Sequence, residues 1–214
     1  EGNAMKQKIA VVSLGDCRQS FYDTRKHIAE EETKKLVDSL CGYYDVFAPE
    51  VVFTIDDALK TADEIRRQLI VQVVIHIPIW VTPNLALRIA GSTPYPVVLF
   101  GNTRKDSSST VALLATSGML GQSGKNCKRI IGDIRNPEIL QKVRDVLDAV
   151  NVVEGLRRSS FGMAGGRSIG IGTTVADPSQ WQRIFGVEFD HCDQYEIVYR
   201  AKELDEVRVK RHMD

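Results

Sequence analysis

Glu188, Asp190, His191, Cys192, Asp193 and Glu196 form the densest group of side chains that could ligate a metal, in a mixture hard and borderline cations accept. Asp193 and Glu196, however, stand at the spacing of a helix-capping pair, and alternate residues of a strand face opposite ways. A second chemistry is suggested by Gly162–Gly172, which holds five glycines in eleven residues. A dinucleotide turn needs Gly or Ala where Val175 stands, and a buried strand where the polar segment 157–161 stands. These glycines therefore read first as backbone freedom at a strand-turn, and a dinucleotide-dependent oxidoreductase is the last-ranked reading. Cys17 has charged neighbours in Asp16 and Arg18 but no histidine near it in sequence. A small buried residue at a strand end is the plainer reading of it. The chain has neither a Gly-x-Ser-x-Gly elbow nor a Walker loop.

Asp16, Arg18, Trp80 and Asn102 share a property of position: each follows an apolar run that reads as a strand. The longest run, residues 71–80, is rich in Val and Ile and closed by Pro78. Such a run predicts the central, doubly buried strand of a parallel sheet. Inside it, His76 reads as a hydrogen-bonded core histidine. Ligands of open α/β sheets bind beyond the carboxyl ends of the strands, which makes these four residues a candidate ligand edge. Trp80 by position alone reads first as a cap on the core.

Around that run the pattern alternates. Strands are expected at 8–13, 46–53, 95–100 and 127–131. Helices are expected over 23–41, over 54–69 with Thr54 and Asp57 at its start, from Pro83 to Gly91, over 110–120, and from Asn136-Pro137. In the last of these, Ile139, Leu140, Val143, Val146, Leu147 and Val150 fall at one-sided helical spacing. Five βα units imply a Rossmann-like doubly wound parallel sheet. Residues 1–4 read as a cloning scar and 5–154 as the α/β domain. Residues 155–214 read as the truncated start of a second α/β domain, with a helix from Asp177-Pro178, a short strand at 187–189 and a helix capped by Asp193.

Composition narrows the partners. Lys+Arg and Asp+Glu are equal at 28 each, so no net field favours nucleic acid or an anionic membrane. No apolar run has the length of a membrane span and none resembles a signal peptide. Four scattered cysteines suit a reducing cytoplasm.

The motifs in order are Asp16-Cys-Arg18, Ile-Pro-Ile-Trp80, Phe100-Gly-Asn102-Thr and Gly165-Gly-Arg-Ser-Ile-Gly-Ile171, with Asp177, Gly186-Val and Asp193-x-x-Glu196 at similar spacing. Together they resemble the N-terminal half of L-fucose isomerase and its relatives. L-arabinose isomerases share the architecture. The resemblance implies a cytoplasmic, homo-oligomeric ketol isomerase that interconverts an aldose and a ketose with a divalent metal, usually manganese. It implies metal ligands (a Glu, an Asp and a His) in second and third domains outside this chain, so that this chain alone is catalytically silent and holds no metal. The first domain would overlie a neighbouring subunit's active site, with Arg18 and Trp80 reaching the sugar and Asp16, Asn102 and Ile169 completing the substrate-binding set. Cys17 and Gln19 replace a Gly and an Arg common in the family, and Ile169 replaces a Met; these departures bear on which sugar is bound. A stand-alone sugar-binding or regulatory module is the alternative.

Overall fold

The structure, a computed structural model, describes residues 6–166 and 177–213. It divides into two compact units, 1–150 and 151–214. In the first, β1 (Lys8–Ser13), β2 (Asp45–Phe47), β3 (Gln72–Ile77), β4 (Val97–Gly101) and β5 (Cys127–Ile131) form one parallel sheet in the order β2-β1-β3-β4-β5. This is the second common doubly wound order, in which the strand sequence reverses direction between β1 and β3. Every residue of β3 is buried, as expected for a strand covered on both faces.

The helices divide between the two faces. Ala58 and Ile65 of α3 (Ile55–Arg67), Leu85 and Ile89 of α4 (Pro83–Ala90), and Leu113 and Leu120 of α5 (Ser109–Gln122) pack with Ala10, Val12, Val73, Ile75, Ile77 and Leu99. Leu36 and Leu40 of α2 (Lys26–Cys41) and Val143 and Leu147 of α6 (Pro137–Arg157) pack with Ile9, Val11, Val74, Val98 and Phe100. The strand residues alternate strictly between these clusters, as a pleated strand requires. Each fully buried Val, Leu or Ile contributes roughly 1.5–3 kcal/mol. Local signals fix the helix starts. Thr54 and Asp57 form a reciprocal capping box on α3, and Asn136 Oδ1 accepts from Glu138 N at 2.9 Å ahead of Pro137.

Several expected elements are shorter or divided. The helix expected over 23–41 starts later, as α2, and a separate short helix α1 (Gln19–Asp23) precedes it; Cys41 is exposed rather than on the buried face. The strand expected over 46–53 stops at Phe47, leaving one isolated bridge from Val52 to Leu14. Pro49 cannot donate to a ladder and Glu50 is exposed, so the pairing lapses here until Val52 bonds Ser13 and Gly15.

The second unit contains β6 (Ser160–Ala164), α7 (Pro178–Phe185), β7 (Glu188–Cys192), α8 (Gln194–Lys202) and α9 (Glu206–Met213). β6 and β7 pair in parallel. β6 begins at the end of the polar segment 157–161 and is mostly exposed, so it is not the buried strand a dinucleotide turn requires. Phe161 stacks near Trp181 and Phe189, with ring centroids 4.7 and 5.7 Å away.

Candidate functional site

The carboxyl ends of β1 and β3 lie side by side, with Ser13 paired to His76 and Leu14 N donating to the His76 carbonyl at 3.0 Å. The loop 14–18 and the loop 78–82 therefore leave the sheet together, at the point where strand order reverses. That is where a doubly wound sheet opens a crevice.

Asp16 is 1% exposed and receives Arg18 on both oxygens, Nε on Oδ1 at 2.9 Å and Nη2 on Oδ2 at 2.6 Å, with Arg18 N also donating to Oδ1. The Arg18 guanidinium holds the Asp16 carboxyl below the usual carboxylate range, and the carboxylate in turn raises the arginine. The Arg18 side chain itself remains 58% exposed. It also lies 4.8 Å from the Phe21 ring centroid, with Arg25 on the same ring at 4.2 Å. Arg18 is thus the outward group, and Asp16 is the anchor that aims it.

Trp80 is half-buried against the core, and its backbone N–H donates to the Ser107 carbonyl at 3.0 Å. Asn102 is 2% exposed, and its amide works within the fold: Nδ2 donates to the Pro78 carbonyl at 2.7 Å while Oδ1 accepts from Ser107 Oγ and Arg104 N. Asn102 therefore ties loops together rather than facing out. Ile169, like Gly170 and Gly172, lies outside the described residues.

His76 is fully buried, with Nδ1 2.9 Å from Ser13 Oγ and 3.3 Å from Thr33 Oγ1, as expected of a core histidine. Burial pushes its pKa down to about 3, so the ring is neutral. Cys17 is exposed, contrary to the small buried role expected of it.

Two cavities flank this edge. One of about 840 Å³ is lined by Gln19, Tyr22, Lys26, Phe53, Asp57 and Lys60, among others, and so adjoins α1 immediately after Arg18. The other, about 190 Å³, is lined by Lys35, Asn102, Arg104, Asp133 and Arg135, among others. Its cations are committed: Lys35 to Glu31 and Glu32, Arg104 to Glu31 and Asp106, Arg135 to Asp133. Arg135 lowers Asp133 to about 2. A phosphate would have to displace these carboxylates.

Among the described residues, no three His, Cys, Asp or Glu side chains come together to hold a metal ion. Three members of the 188–196 group have other partners: His191 Nε2 donates to the Gly165 carbonyl, Asp193 caps α8, and Glu196 pairs with Arg200. Asp193 alone caps that helix, so the expected pairing with Glu196 does not form.

Fold and edge together define a doubly wound α/β domain with a cation and an indole carried in the two loops at its switch point. The sequence model for "L-fucose isomerase, first N-terminal domain" matches residues 6–154. The chain belongs to the L-fucose isomerase family. No curated protein matches it.

Proposed function

We propose that this domain forms part of the sugar site of an aldose–ketose isomerase, with Arg18 donating to hydroxyls and the Trp80 indole packing on the C–H face of the sugar. Asp16 and Asn102 serve as supports behind them, and Ile169 is included on family resemblance alone. The observation that carries this reading is the β1–β3 register, which brings the loops of Arg18 and Trp80 off the sheet beside each other. The family relation supports the isomerase class. It also supports a divalent metal, usually manganese, held by residues of other domains, and a cytoplasmic homo-oligomer in which this edge faces a neighbouring subunit.

On this reading the chain's own residues bind and orient; proton transfer belongs to groups elsewhere, and this chain alone turns over no sugar. In the isomerase carrying this domain, Arg18→Ala and Trp80→Ala should each raise KM for the sugar by about tenfold, the effect of roughly 1.4 kcal/mol of lost binding. Circular dichroism should remain unchanged. Wild-type kinetics in both variants would remove the assigned roles.

A further inference from the structure

β3 ends its ladder with β4 at the pair Ile77–Gly101, yet the chain beyond it is held through three more backbone groups. Ser109 Oγ donates to the Ile77 carbonyl, Asn102 Nδ2 donates to the Pro78 carbonyl at 2.7 Å, and the Ser107 carbonyl accepts from Trp80 N at 3.0 Å. Two of the partners come from the loop between β4 and α5, and the third, Ser109, is the first residue of α5. They are also bonded to one another: Ser107 Oγ donates to Asn102 Oδ1 at 2.8 Å, Asn102 N to Ser109 Oγ at 2.9 Å, and Ser109 N to Ser107 Oγ at 3.2 Å. Asn102, Ser107 and Ser109 are 2%, 0% and 0% exposed. Ser108, between two of them, adopts the left-handed conformation at φ 57°, which a non-glycine residue takes only when its surroundings hold it there.

Polar side chains are buried at this cost only where their hydrogen bonds are complete, and a complete buried network specifies one arrangement. Here the arrangement it specifies is the path of residues 77–80. We infer that Ser107, with Asn102 and Ser109, is a positioning residue for Trp80: the side-chain network continues the β3–β4 ladder past its end and fixes the indole's approach to the edge. The functional meaning rests on the sugar-facing role proposed for Trp80; the brace itself can be tested without any sugar.

The test is amide exchange by NMR on the whole chain, comparing Trp80 N–H with Val74 N–H in the middle of β3. In Ser107→Ala and Asn102→Ala, Trp80 exchange should quicken by about tenfold or more relative to Val74, because the loop opens locally while the sheet does not. Thr116→Val removes a buried hydroxyl of α5 that bonds only Ala112, so it should leave that ratio unchanged. If Asn102→Ala does not fold, Ser109→Ala takes its place. A Trp80-to-Val74 ratio within about twofold of wild type in the folded brace variants overturns the inference, as does an equal change in Thr116→Val. Failure of the sugar reading would instead show as wild-type kinetics in Trp80→Ala with the exchange result intact.

Discussion

At the scale of single residues, what distinguishes the edge is how its polar groups are divided between buried supports and outward groups. Asp16 and Asn102 stand inside, while the Arg18 guanidinium is left facing outward. A residue's type and its place after a strand locate all of them. Which of them points outward depends on partners distant in sequence, and no local pattern carries that. Ser107 and Ser109 are hidden in the sequence for a related reason: a polar run reads as a solvated loop, whereas the Ser109 hydroxyl replaces a ladder bond and the Ser107 hydroxyl braces Asn102 inside the protein. His76 is legible because a lone histidine in an apolar run has few alternatives. Its consequence is a pH dependence. The unfolded chain binds a proton near pH 6.5, while the folded chain refuses one until about pH 3. Stability is therefore fully present above pH 6.5 and falls as pH drops below it, by up to about 1.4 kcal/mol per unit, or roughly 3 kcal/mol by pH 4. Urea titrations across that range should show a shallower decline in His76→Asn than in wild type. Parallel declines would mean that other groups drive the acid loss.

Among the elements, those with two apolar faces or a strong cap are the readable ones: β3, α3 with its Thr54 box, and α6 behind Asn136. The edge strand β2 and the exposed β6 are poorly legible because neither presents an alternating or continuous apolar pattern. The break between α1 and α2 falls in the polar run Asp23–His27, which contains no glycine or proline to mark it. The loop leaving β1 is packed more tightly than any sequence pattern indicates. A Cβ placed on Gly15 would clash with the Phe53 ring, which itself meets Tyr22 edge-on at 4.6 Å between centroids. The ring would have to leave Tyr22, or the loop before Asp16 would have to lift from the sheet. Gly15→Ala should therefore destabilise by about 1–3 kcal/mol, the range for overpacking. Denaturant midpoints measure this directly. A loss below about 0.5 kcal/mol would show that Phe53 moves aside freely.

As a whole molecule, the chain joins a finished unit to a sparse one. The first has both sheet faces covered, a three-residue strand at one edge and exposed Lys128 and Arg129 on the other, all of which discourage stray pairing. In the second, α7 and α8 bury no residue, and fewer than about 70 residues seldom sustain a core unaided. The first unit's stability should accordingly be its own. A fragment of residues 6–157, retaining all of α6, contains Trp80 as its single tryptophan, so fluorescence reports on this unit alone. It should unfold in one cooperative urea transition, with a slope in the range of roughly 1–3 kcal/mol per molar found for small domains. Its midpoint should lie within about 0.3 M of that read from Trp80 in the full chain carrying Trp181→Phe, since about 0.5 kcal/mol is the scatter expected of changes that touch no buried contact. A broad transition, or a midpoint lower by about 1 M or more, would mean that residues beyond 157 complete the core of the first unit.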